Sequence, residues 1–271
     1  MSLGFTDEDL IINEQRYYQQ LASGNSYFEL DKVSSLNFGI IMTALPKRVS
    51  PTRDVEEIAI PGRHGTLTID RNRYNNTRVT YSCAFIPKHD GSFYNNLYYD
   101  AAAKIADFLK PTAAYRRLEN SYEPQLFQLA RVVVGPTIES IMDKAGVFDV
   151  TFDCMPQRFT WLGEQKRGFI HSGDVICNWD QPSEPIITVY GKGNNTLTVG
   201  STVIQILDLQ DQLTIDCSMK NAYRKREDGS IENANRKIKA EEFPVLVKGR
   251  TGISWSEGIT KVDIIPRWWK L

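Results

Sequence analysis

The chain has no apolar run of about 18 residues or more, the length a membrane-crossing helix needs, so no transmembrane helix is expected. It has almost no net charge. Thirty-two Lys and Arg stand against 33 Asp and Glu, leaving −1, which removes long-range attraction to nucleic acid or to an anionic membrane as an organising theme. Cysteine is scarce: Cys83, Cys154, Cys177 and Cys217 are scattered without CxxC spacing. That pattern suits buried free thiols in a protein made in cytoplasm better than a disulfide or zinc framework. Asp7, Glu8 and Asp9 stand where a secretory leader carries basic residues, so export by that route is not expected.

Recognisable chemistry is absent too. No GxSxG, HExxH, Walker A or EF-hand pattern occurs. Gly191-Lys192-Gly193 begins like a dinucleotide loop, but strand-type sequence follows where a helix N-terminus would have to hold the pyrophosphate. His64, His89 and His171 are far apart, none with a partner at ligand spacing. Asp149 and Asp153 face the same way on a strand, which invites a glycosidase reading. Four residues of strand separate them by about 13 Å, whereas glycosidase pairs sit about 5 to 9.5 Å apart, so solvent-facing carboxylates are the better account. Trp161, Trp179, Trp255, Trp268 and Trp269 would suit a sugar-stacking platform, although aromatic residues of a β-rich protein more often fill cores and interfaces. The reading is therefore of a non-enzyme, with no catalytic residue, no cofactor and no metal.

What is present is a folding pattern. With 41% hydrophobic residues the chain can bury a core, and 271 residues make one large or two ordinary domains. The chain turns over at Gly146–Phe159. There Phe148, Val150, Phe152 and Cys154 alternate with Asp149, Thr151 and Asp153, a half-buried strand that Pro156 is expected to end. Before it lies the one good helix, Ser92–Lys110, with Phe93, Leu97, Ala101, Ile105 and Phe108 in a single stripe, Ser92 or Asp90 as cap and Pro111 as stop. Thr6 caps a further helix candidate over residues 6–22, whose thin stripe suits an extended arm equally well. Strands are expected over Tyr27–Leu30, Phe38–Thr43, Val55–Ile60, Gly65–Asp70, Val79–Pro87 and Leu126–Val134. Beyond Pro156, seven or so short runs with turn signals between them, Gly191-Lys192-Gly193-Asn194 among these, read as a β-sandwich. Lys220–Glu242, with seven Lys/Arg and five Asp/Glu, reads as a solvated loop. The fold class is mainly β with one clear helix, divided into residues 1–155 and 156–271.

Ile60-Pro61-Gly62-Arg63 fits a type II turn, since proline presets the second position and glycine tolerates the positive φ of the third. Such a turn is either a plain hairpin corner or a ligand loop. If Arg63 reaches a neighbouring subunit, its forked guanidinium suits a carboxylate or a group of carbonyls there. Pro61, Gly62 and Arg63 are the candidate subunit-contact residues.

Several segments, in order and spacing, resemble the phage distal tail protein (Dit) family of long non-contractile tails. They are Ser35-Leu36-Asn37-Phe38-Gly39-Ile40, Ile60-Pro61-Gly62-Arg63-His64-Gly65 and Phe148-Asp149-Val150-Thr151-Phe152-Asp153-Cys154-Met155-Pro156. The second half adds Ile187-Thr188-Val189-Tyr190-Gly191, Ile215-Asp216-Cys217 with Asn221-Ala222-Tyr223, Phe243-Pro244 and the closing Pro266-Arg267-Trp268-Trp269-Lys270-Leu271. The resemblance implies an N-terminal domain that assembles into a hexameric ring and a C-terminal galectin-like β-sandwich projecting outward. It implies a virion protein at the distal end of the tail, assembled in the host cytoplasm. Its partners would be the major tail (tube) protein, a tail-associated or tail-tip protein and a receptor-binding protein, with DNA passing through unbound. The polar lead to about residue 25 exceeds what a minimal member needs, and no long insertion interrupts the sandwich. A rival reading is a host-surface carbohydrate-binding protein that uses the β-sandwich domain.

Overall fold

A computed structural model describes residues 26–85, 97–141, 145–226 and 228–271, so the helix candidate over 6–22 and the caps Asp90 and Ser92 lie outside the described residues. The chain divides into two compact units, one ending at Arg158 and one running from Phe159 to Lys270.

The first unit contains β1 (Phe28–Leu30), β2 (Val33–Ser34), β3 (Ile40–Met42), β4 (Arg53–Ala59), β5 (Thr66–Tyr74) and β6 (Thr77–Phe85). The helix α1 (Leu97–Phe108) and the strands β7 (Arg116–Asn120), β8 (Leu126–Val134), β9 (Glu139–Ile141) and β10 (Ala145–Thr160) follow. The main sheet has the order β2-β1-β7-β8-β10-β6-β3, with β9 also on β10, while β4 and β5 form a separate two-stranded ribbon. β10 pairs antiparallel with β6 from Gly146↔Phe85 to Cys154↔Thr77. The alternation read from the sequence places Phe148, Val150, Phe152 and Cys154 in the core, together with Phe28, Tyr81, Cys83, Phe85 and the helix residue Ile105. Phe108 of α1 stacks on Phe38 with ring centroids 4.4 Å apart. Aromatic packing of this kind adds about 0.5–1.5 kcal/mol per pair beyond area burial.

Three expectations are corrected. β10 does not end at Pro156 but runs on to Thr160. Its pairing with β6 has finished at Cys154, so Pro156 removes no bond from that ladder. β7 was not foreseen, because Arg116-Arg117-Leu118-Glu119-Asn120 carries no apolar alternation. Yet Arg117 is 2% exposed, its guanidinium 3.6 Å from the Phe127 ring centroid and 2.8 Å from Glu119 Oε1. The flat cation takes the place of an apolar residue by stacking on an aromatic face. Lys220–Glu242 is not one solvated loop, as the second unit shows.

The second unit comprises β11 (Arg167–Phe169), β12 (Gly173–Cys177), β13 (Ile186–Val199), β14 (Thr202–Asp216), β15 (Asn221–Lys225) and β16 (Ile231–Asn233). β17 (Ile238–Lys239), β18 (Gly249–Trp255), β19 (Ile259–Ile265) and β20 (Trp269–Lys270) complete it. The strand order is β11-β19-β13-β14-β15-β16, with β18 joining β12 to β13 and β17 on β14. The expected short strands Ile186–Tyr190 and Thr196–Val199 are one long strand. Gly191-Lys192-Gly193-Asn194 is a bulged stretch within it and not a turn. Gly191 is required there, since a Cβ would lie 2.1 Å from the Gly258 carbonyl oxygen. Between Lys220 and Glu242 the small residues Ala222 and Ala234 turn inward. The charges pair across strands outside, Arg226 with Glu232 at 3.0 Å and Arg224 with Asp211 at 3.2 Å. All four cysteines are buried and free.

Glu119 gives the first unit a pH dependence. It stands directly opposite Glu29 across the β1–β7 ladder, and burial pushes its carboxyl up to about 7, Arg117 pulling it down and Glu29 adding to the rise. The folded state then holds a proton that the unfolded chain releases near the ordinary glutamate value of about 4.3. Stability from this group is present in full below that value and is lost as pH rises to about 7. The melting temperature should fall between pH 5 and pH 8, and Glu119→Gln should flatten that slope. An identical slope in both proteins would remove Glu119 as its source.

Candidate subunit-contact site

The β4–β5 ribbon carries the candidate residues at its tip. Its register runs from Val55↔Asp70 through Glu56↔Ile69 and Ile58↔Leu67 to Ala59↔Thr66. The Arg63 amide donates to the Ile60 carbonyl at 3.1 Å and Gly62 has φ +79°, so Ile60-Pro61-Gly62-Arg63 is the β-turn that the residue types indicate. Pro61, Gly62 and Arg63 are all exposed.

Directly opposite residues share a face, so Ile58, Leu67 and Ile69 lie together on one side of the ribbon. They are 39%, 44% and 43% exposed, an apolar group that shares its face with Glu56, opposite Ile69, on an element that belongs to neither large sheet. The ribbon holds its shape by cross-strand ion pairs: Arg53 with Asp70 at 2.9 Å, Arg71 with Glu56 at 3.0 Å and Arg73 with Asp54 at 2.5 Å. The Asn72 amide and Arg53 hold the Asp70 carboxyl below its usual range. Exposed pairs of this kind contribute about 0–1 kcal/mol each, and an isolated two-stranded hairpin is marginal in water. A surface laid against the apolar group would add what the ribbon lacks. Among the described residues the Arg63 side chain makes no ion pair or hydrogen bond, unlike Arg53, Arg71 and Arg73 nearby.

The other residues singled out in the sequence have structural roles. Asp149 is exposed. Asp153 is tied down: its Oδ2 accepts from Asn76 Nδ2 at 3.1 Å, Tyr115 Oη at 3.2 Å and Arg131 Nε at 3.1 Å. Desolvation would raise this carboxyl, but the bonds from Asn76, Arg131 and Tyr115 outweigh it and hold the group below its usual range. No sequence motif marks this cluster, since its members come from four separate stretches. The tryptophans are distributed among different tasks. Trp268 is buried under the Arg167 guanidinium, Trp179 and Trp255 pack against the core, and the Trp269 indole donates to the Pro182 carbonyl at 2.9 Å. A crevice of about 770 Å³ opens beside β14, lined by Thr202, Gln205, Lys239, Glu241 and Glu242 among others. Among the described residues no helix is long and apolar enough to cross a membrane.

No family model matches the chain, and no curated protein sequence matches it. Among solved structures, the crystal structure of SPP1 Dit (gp 19.1), presented as a paradigm of the hub adsorption apparatus in phages infecting Gram-positive bacteria, is similar to it. The TM-score is 0.64 at 11% identity, and the likeness covers 88% of this chain and 97% of that one. At that identity the likeness is one of fold: the chain is mainly β, with the fold of a phage distal tail protein.

Proposed function

We propose that this chain is a structural hub protein of a phage tail, whose copies close into a hexameric ring at the distal end of the tail. The observation that carries the reading is the extent of the likeness to SPP1 Dit, which spans nearly the whole of both chains and therefore both units. In this reading residues 1–155 form the ring and residues 156–271 form an outward, galectin-like sandwich. The ring joins the major tail tube protein to a tail-associated protein and presents a receptor-binding protein, and DNA passes through it. A net charge of −1 suits a conduit, since each phosphate neutralised by a wall would add affinity and slow transit.

The ribbon supplies the joint. A ring is a heterologous contact that closes by rotation, so each copy needs one projecting element and one receiving surface. The group of Ile58, Leu67 and Ile69 is the projecting apolar part, and burying its remaining area contributes on the order of 1 kcal/mol per side chain. Arg63 at the tip offers its five donors to a carboxylate or carbonyls of the neighbour, a contact whose loss costs up to a few kcal/mol.

Two measurements test this. Light scattering on wild type, Arg63→Ala and Leu67→Asp should give a closed ring for the first and smaller species for the variants, all three with the same thermal melt. Intact rings in both variants would reduce the turn to a plain corner. The domain division is tested with residues 156–271 alone, which should melt cooperatively with a β-type far-UV spectrum. An aggregated or disordered fragment would mean that the halves share a core.

A further inference from the structure

We propose that the open edge of β14 at Thr202–Ile204 takes an extended, basic segment of a partner protein as one more strand of the sheet. One side of β14 is fully paired there: Val199 lies opposite Thr202, Thr198 opposite Val203 and Leu197 opposite Ile204. On the other side β17 pairs only at Gln205↔Lys239 and Ile206↔Ile238. Beyond Lys239 the chain leaves the ladder, and Ala240, Glu241 and Glu242 become the far wall of the crevice of about 770 Å³. Its near wall is Ser201, Thr202 and Val203. Among the described residues no strand covers this stretch of edge. An edge that faces a gap presents main-chain donors and acceptors, and an incoming strand satisfies them. Three residues of edge span about 10 Å, so a short stretch of partner is enough.

The crevice also selects what that strand carries. Side chains alternate along β14, so Val203 and Gln205 share the outward face while Ile204 and Ile206 are buried in the core. Val203 is 51% exposed, and Gln205, Lys239, Glu241 and Glu242 are exposed as well, so the crevice is open to a ligand. Val203 offers an apolar contact to the side chain laid beside it. Glu241 and Glu242 make no ion pair among the described residues. By contrast Lys220, Arg224, Arg226 and Lys237, from the preceding stretch, are each paired with a carboxylate. Two uncompensated carboxylates on one wall favour lysine or arginine on the incoming strand. Lys239 stands opposite Gln205, where β17 closes the crevice. The basic side chain therefore belongs toward Glu241 and Glu242 and away from that end.

The crevice lies in the second unit alone, so its test stands whether or not copies of the chain form a ring. The ligands are capped hexapeptides of valine and threonine with two lysines at varied positions, added to the full chain at low salt. Saturation-transfer NMR should show at least one of them bound at millimolar concentration. Hydrogen exchange over residues 201–205 should slow about threefold or more when it is present. Glutamate in place of the lysines should weaken binding about tenfold. The double variant Glu241→Gln, Glu242→Gln should weaken it about three- to tenfold, with the thermal melt unchanged. Methylating every peptide nitrogen removes the main-chain donors and should abolish binding. Silence from all the lysine peptides at about 5 mM would overturn the proposal, as would equal binding of the glutamate peptides or binding that survives methylation. Slowed exchange of residues 201–205 that tracks protein concentration without peptide would overturn it too, since the occupant would then be a second copy of the chain.

Discussion

The first unit depends on one ladder, the antiparallel pairing of Gly146–Cys154 with Thr77–Phe85. A strand has a side-chain period of two, so a slip of one residue would send Phe148, Val150, Phe152 and Cys154 to solvent and bring Asp149, Thr151 and Asp153 inward. Each wrong carboxylate would be buried without partners, at a cost of several kcal/mol. The register is therefore strongly specified, and what flanks it inherits its position. Phe28 and Ile105 meet the core side, while Asn76, Tyr115 and Arg131 converge on Asp153 on the other.

The β4–β5 ribbon obeys a different constraint. The same alternation places Ile58, Leu67 and Ile69 on one face, but there the face meets no core. A two-stranded ribbon gains little stability from apolar groups left in water. Three ion pairs brace the ribbon, and among the described residues Arg63 makes none, which is the pattern behind the proposed contact.

Much of this was legible in advance, for identifiable reasons. The alternation in Phe148–Cys154 needs only seven residues to declare a strand and its buried face. Pro61-Gly62 declares its turn because proline and glycine each fix one dihedral. The stripe of Ala101, Ile105 and Phe108 declares the helix. What escaped were features in which one residue type serves two ends. Glycines mark turns and bulges alike, so Gly191–Asn194 read as a corner when it lies within a continuous strand. A charged segment reads as solvated, yet Arg117 is buried by stacking on Phe127 and pairing with Glu119. Proline usually stops a strand, but Pro156 stands where the β6 ladder has already ended. At the candidate site the turn was readable, whereas the apolar group that gives it meaning required the cross-strand register.

The proposed role of the ribbon is as a joint between copies of the chain. Hydrogen exchange across residues 53–74 tests it most directly, because an exposed two-stranded ribbon opens easily and a seam does not. In the assembled protein the amides of β4 and β5 should exchange at least tenfold more slowly than in dilute, dissociated chain, a difference of about 1.4 kcal/mol in opening. Fast exchange of the ribbon in an intact assembly would contradict the account and place the joint elsewhere.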